Sequence, residues 1–185
     1  MDLKEYIRSI PDYPKKGILF RDITTLIKNE KAFEETVNQI IERSKKYKVN
    51  KIAGIESRGF VFASAVSYLL KKPFIMLRKK NKLPADVHSV DFELEYGTAT
   101  IEVHKDSINE KDNVLIIDDL IATGGTAKAA AKLVEISKGK VAAFIFVINL
   151  FDLGGCEKLI QNNYKVENLI KFPGHWMVAG SGIEP

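Results

Sequence analysis

Apolar positions along this chain follow two rhythms. Unbroken runs occur at 51–55 (KIAGI), 73–77 (PFIML), 114–117 (VLII) and 141–150 (VAAFIFVINL). Continuous rather than alternating runs suit strands covered on both faces. Between them, 59–70 (GFVFASAVSYLL) and 123–137 read as helices, the second closed by Gly139. Two strand–helix–strand units in succession predict an α/β domain with a central, mostly parallel sheet flanked by helices. A further helix is expected at 33–47, where apolar residues recur at helical spacing.

Other segments break this pattern. FELEYGTATIEVHKD alternates and turns at Tyr96-Gly97, which predicts a β-hairpin. IPDYPKKGILFRDIT is punctuated by prolines and reads as a loop. With no internal repeat and no linker-like stretch, residues 1–185 are expected to form one domain. The two ends, about 7–27 and 150–175, are expected to form a small hood, and 176–185 carries no assignment.

Composition narrows the function classes. A chain of 185 residues can bury roughly 70% of its unfolded surface, and 45% hydrophobic with 28% charged residues is ordinary globular usage. No apolar run reaches the roughly 20 residues of a membrane span, and MDLKEYIRSI is too polar for a leader, so no membrane role is expected. The single cysteine, Cys156, cannot form an internal disulfide and fits a reducing, cytoplasmic setting. His88, His104 and His175 lack the spacing of a shared metal site. A net charge of +4 admits nucleic acid or an anionic small molecule, and the sharpest basic cluster is LRKKNK, with Arg78, Lys79, Lys80 and Lys82.

The densest chemistry lies in VLIIDDLIATGGT, from Val114 to Thr126. In parallel sheets, ligands bind beyond the carboxyl ends of strands, where loops enter helices. Gly124 and Gly125 allow close backbone approach, helix-start amides form an anion nest, and Thr123 and Thr126 add hydroxyls. This is a phosphate cradle. Neither G-x-x-x-x-G-K-[ST] nor G-x-G-x-x-G occurs; Gly54 and Gly59 have P-loop spacing, but Phe60 and Val61 replace the lysine and hydroxyl residue. Asp118 and Asp119 would repel phosphate unless they serve vicinal sugar hydroxyls or a bound Mg²⁺. Carboxylates for ribose and a glycine loop for its 5′-phosphate describe a sugar-phosphate site.

VLIIDDLIATGGT resembles the 5-phosphoribosyl-1-pyrophosphate (PRPP) motif of the type I phosphoribosyltransferases. PDYPKKGILFRDIT, IAGIESRGF, LRKKNKLP, LEYGTATIEVHKD, INLFDLGG and FPGH are similar, in order and spacing, to the adenine-specific branch of that family, over about residues 7–175. The resemblance implies the type I fold with a hood and a flexible β-hairpin loop. It also implies phosphoribosyl transfer from PRPP to adenine, giving AMP and pyrophosphate, through an oxocarbenium-like state that must be offset at the leaving group.

The resemblance distributes the roles. Asp118 and Asp119 would take the ribose hydroxyls, and Ala122, Thr123, Gly124, Gly125 and Thr126 the 5′-phosphate. Ser57 and Arg58, with a cis peptide between them, would meet pyrophosphate together with Arg78, Lys79 and Lys82. Residues 82–91 would form a closing loop. Phe20 and Leu150 would sandwich adenine, while backbone groups of Leu19 and Arg21 read its amino edge. Glu95 would move the purine proton, with Tyr96 beside it. Mg²⁺ would arrive as the PRPP counterion, without dedicated protein ligands, and the family is typically a homodimer with no nucleic-acid partner.

This sequence departs from the family at Phe92, where tyrosine is frequent, so no role falls to it. Two other readings share the PRPP loop: a PRPP-sensing regulator without catalysis, and a transferase for a 6-oxopurine or orotate. The first lacks an added DNA-binding module, and the second should not carry PDYPKKGILFRDI.

Overall fold

Successive strand residues point to opposite faces of a sheet, so a run that is apolar throughout needs cover on both sides. Leu115, Ile116 and Ile117 have no exposed surface, and each such buried side chain contributes about 1.5–3 kcal/mol. The computed structural model of the protein describes residues 1–94 and 97–174.

A 3-10 turn (Leu3–Tyr6) leads into strands β1 (Arg8–Pro11) and β2 (Leu19–Asp22), a short helix α1 (Thr24–Ile27) and a long helix α2 (Glu30–Ser44). The Asn29 side chain caps α2 by accepting from the Ala32 amide at 3.0 Å. There follow β3 (Lys51–Ile55), α3 (Arg58–Leu70), β4 (Phe74–Lys79), the hairpin strands β5 (Val87–Leu94) and β6 (Gly97–His104), and β7 (Asn113–Ile121). Then come α4 (Gly125–Ile136), β8 (Lys140–Leu150), a second 3-10 turn (Phe151–Leu153), α5 (Gly155–Gln161) and β9 (Val166–Phe172).

Seven strands form one sheet in the order β5-β6-β4-β3-β7-β8-β9. The five strands from β4 to β9 in that order run parallel, and the β5–β6 hairpin extends the β4 edge antiparallel. Helices α2 and α3 cover one face through Val37, Ile40, Phe62 and Val66; α4 covers the other through Ala130, Leu133 and Val134. The expected α/β architecture is therefore borne out.

Several boundaries differ from expectation. The IPDYPKKGILFRDIT stretch, residues 10–24, read as loop, instead carries most of the antiparallel pair β1–β2, which forms a separate two-stranded sheet. Arg8 donates to Asp22 at 2.5 Å, and Thr24, with Arg8, holds the Asp22 carboxyl at about 2, so this pair is tied down by charge as well as ladder. At the other end, within the 150–175 stretch expected as hood, Val166–Phe172 is a strand of the main sheet beside β8. Residues 87–91, expected in a loop, are strand, because β6 supplies a full register of partners from Val87↔His104 to Leu94↔Gly97. Strand β7 runs to Ile121 rather than stopping at 117, because the long β8 continues to pair with it through Ile121↔Asn149.

Candidate active site

The connection β3–α3–β4 steps to one side of the sheet and β7–α4–β8 to the other, so the chain order reverses between β3 and β7. At such a point the loops diverge and leave a crevice beyond the strand ends. The two strands also end at different heights. β3 pairs with β7 only to Gly54↔Ile117, and β7 then outruns it. Asp118 and Asp119 thus lie on strand backbone whose β3 side is open, opposite the turn into α3.

A cavity of about 290 Å³ fills this crevice. Glu56, Ser57, Arg58 and Lys79 form one wall, Asp118 and Asp119 the floor, and Ala122, Thr123, Gly124, Gly125 and Thr126 the other wall. The residues expected to hold ribose, 5′-phosphate and part of pyrophosphate are brought together. Gly124, with φ of 90°, caps α4 in a left-handed conformation that disfavours any side chain. The first-turn amides of α4 have no intrahelical acceptor and lie at the cavity. The loop is braced from behind: the Gly155 amide donates to the Ala122 carbonyl at 3.1 Å. A Cβ on Gly155 would run into that carbonyl and lie 3.0 Å from the Gly124 nitrogen.

Charge in the crevice is closely coupled. Arg58, the first residue of α3, donates through Nε to Asp119 Oδ2 at 2.6 Å, and the Asp119 carboxylate raises the Arg58 pKa. Asp118 Oδ1 accepts the Asp119 amide at 2.8 Å. Burial, then the neighbouring Asp119 carboxylate, pushes the Asp118 carboxyl well above the usual carboxylate range. The start of α3 packs closely on β7 at Gly59, where a Cβ would lie 2.8 Å from Asp118 Oδ1 and 3.0 Å from the Ile117 carbonyl. Ser57 precedes α3 without a side-chain capping bond. The non-proline cis peptide is at Glu56–Ser57, one residue before the expected Ser57–Arg58 bond; Glu56 is the last residue held to β4, through its amide to the Leu77 carbonyl at 2.9 Å.

A second cleft of about 740 Å³ adjoins the first and shares Arg58, Leu120, Ala122, Thr123, Gly125 and Thr126 with it. Leu19, Phe20, Arg21 and Leu150 all line it, so the four expected base contacts converge. Tyr13 packs edge-on against Phe20, with ring centroids 5.2 Å apart. The Arg21 side chain is engaged elsewhere, with Nη1 donating to Ser9 Oγ at 2.5 Å and the guanidinium lying 4.3 Å from the Phe172 ring centroid. The β5–β6 hairpin reaches over the phosphate loop: a Cβ on Gly125 would be 3.5 Å from the Glu93 carbonyl, and Glu93 and Leu94 line this cleft. Glu95 and Tyr96 lie outside the described residues, as does His175.

Arg78 and Lys82 do not border the 290 Å³ cavity directly. Both contact Glu56, which does. Glu56 escaped the sequence reading, as did Leu153 and Gly155; a lone glutamate at a strand end carries no periodic or compositional signal. Among the described residues, no cluster of three His, Cys, Asp or Glu could hold a metal ion, and no helix is long and apolar enough to cross a membrane.

Parallel α/β sheets bind ligands at such a switch-point crevice, and the glycine-rich start of α4 beside it suits an anionic group. The sequence model of the phosphoribosyl transferase domain matches residues 23–180, and the chain belongs to that family. It is 81% identical to adenine phosphoribosyltransferase of Pelagibacter ubique (strain HTCC1062) over 175 residues, which is 95% of this chain and 100% of that protein. The crystal structure of adenine phosphoribosyltransferase from Thermoanaerobacter pseudethanolicus is similar with a TM-score of 0.89 at 46% identity, covering 92% of this chain and 98% of that one. The APRTase of Giardia lamblia complexed with 9-deazaadenine gives 0.88 at 35% identity, covering 92% and 96%.

Proposed function

We propose that this chain is a purine-salvage enzyme that transfers the 5-phosphoribosyl group of PRPP to adenine, releasing AMP and pyrophosphate. One observation carries the reading: the anion cavity and the cleft lined by Phe20 and Leu150 are contiguous and share a wall that includes Ala122, Thr123, Gly125 and Thr126. A ribose 5-phosphate held on that wall has room for pyrophosphate toward Ser57, Arg58 and Lys79 and for a base toward Phe20 and Leu150.

In this reading the loop amides take the 5′-phosphate, and Asp118 and Asp119 take the ribose diol. As the anomeric C–O bond to pyrophosphate breaks and a ring nitrogen of adenine bonds to that carbon, the ring gains oxocarbenium character. Arg58 and the Lys79 region offset the leaving charge. Phe20 and Leu150 hold the planar base, and the main chain of Leu19 and Arg21 reads its amino edge. The engaged Arg21 side chain is consistent with that assignment. Glu95, with Tyr96 beside it, moves the purine proton. Mg²⁺ would come as the counterion of PRPP, without dedicated protein ligands, and would supply charge neutralisation for pyrophosphate beside Arg58 and Lys79. We also place the enzyme in the cytoplasm as a homodimer; a solution mass of twice 20.8 kDa supports the dimer and a mass of one chain removes it.

The test is an assay of PRPP and Mg²⁺ with adenine, hypoxanthine, guanine or orotate. Adenine is expected to be preferred by on the order of 10⁴, because a 6-oxo base leaves the reading groups unpaired. Glu95→Gln is expected to lower kcat by about tenfold or more with little change in KM for PRPP. Turnover of a 6-oxopurine, or of no base, refutes the substrate assignment; an unaltered kcat removes Glu95 from the mechanism.

A further inference from the structure

Glu56 puts a carboxylate where anion chemistry calls for none. Its side chain is 8% exposed and borders both the 290 Å³ cavity and a neighbouring one of about 500 Å³ that Lys79, Lys80 and Lys82 also line. Oε2 accepts the Lys79 amide at 2.8 Å and lies 3.4 Å from Arg78 Nε. Oε1 lies 3.1 Å from Lys82 Nζ and 3.5 Å from Arg78 Nη2. Burial alone would raise the pKa of this carboxyl; the Lys79 amide, Lys82 and Arg78 outweigh it and hold the group below its ordinary value.

We propose that Glu56 is a positioning residue for the pyrophosphate end of the substrate: it gathers Arg78, the Lys79 backbone and Lys82 into one array before the anion arrives. The inference rests on the proposed reading of the site. Arg78, Lys79, Lys80 and Lys82 are long side chains of one sign within five positions, and left alone they repel each other and extend into water. An anion would then have to collect them at the moment of binding, at the cost of their rotamer freedom. A buried carboxylate behind them meets that cost during folding. Glu56 cannot itself touch pyrophosphate favourably, so its effect passes through the cations.

This arrangement makes the sign of a charge change decisive. If Glu56 were merely a negative charge near the cavity, neutralising it would tighten an anion; if it organises the cations, neutralising it weakens the anion. Calorimetric titration of Mg²⁺-pyrophosphate and, separately, of AMP into wild type, Glu56→Gln and Glu56→Asp distinguishes the two. AMP carries no pyrophosphate and reports on the rest of the site. In Glu56→Gln the pyrophosphate Kd is expected to rise about fivefold or more with AMP within about twofold, and KM for PRPP to rise while KM for adenine holds. Glu56→Asp keeps the charge but sits one methylene further back, and is expected to fall between the two; it carries the test alone if the glutamine variant does not fold. Unchanged or tighter pyrophosphate binding in either variant, or a parallel loss of AMP, overturns the inference. If wild type itself binds no pyrophosphate, the reading of the site fails first.

Discussion

At the level of one residue, Asp118 combines burial with a neighbouring like charge. Its carboxyl is dehydrated at the cavity floor and faces Asp119, so its folded-state pKa lies well above the unfolded value of about 3.9. A group raised in this way favours folding while it is protonated. That contribution is complete below the unfolded pKa and is lost as pH rises through the folded one. Asp118→Asn keeps an oxygen for the Asp119 amide and does not titrate. Its melting temperature should therefore exceed that of wild type by a margin that widens from pH 4 to pH 8, reaching roughly 2–4 °C for each kcal/mol released. On the proposed reading AMP binding should weaken in the same variant, because the ribose diol loses a carboxyl acceptor. A pH-independent difference in melting temperature, measured by calorimetry, would contradict the burial account of Asp118.

Among the elements, the phosphate loop depends on a neighbour that the sequence did not advertise. Ala122 to Thr126 was legible as a cradle because its glycines, threonines and the following helix are local. What holds that loop is Gly155, about thirty residues further on, where α5 begins. Gly155→Ala forces its Cβ against the Ala122 carbonyl and the Gly124 amide, so the loop must shift. AMP affinity is expected to fall on the order of tenfold or more, as misplacement of about 1 Å commonly does, with the melting temperature lowered only modestly. AMP titration that matches wild type would show that the loop does not need this brace. The same division between local and distant signals explains the other gaps. The core strands declared themselves through continuous apolar runs, whereas β1 and β2 hid among prolines because, among the described residues, they pair with each other and not with the main sheet. β9 was read as hood because its place beside β8 is a long-range choice. Glu56 was invisible for the same reason: its partners on β4 and beyond are more than twenty positions away.

The whole molecule places two differently built spaces side by side. A reversal of strand order opens the anion crevice, and the N-terminal β1–β2 pair together with the segment after β8 encloses the apolar cleft next to it. In the proposed reading transfer needs both, with the reacting carbon where the two meet. The most direct measurement is a crystal structure of the protein with AMP. The account predicts the 5′-phosphate within hydrogen-bonding distance of the amides at 123–126, the ribose hydroxyls on Asp118 and Asp119, and the adenine between Phe20 and Leu150. AMP seated away from that shared wall, or bound with its phosphate toward Arg58 and its base in the crevice, would contradict it.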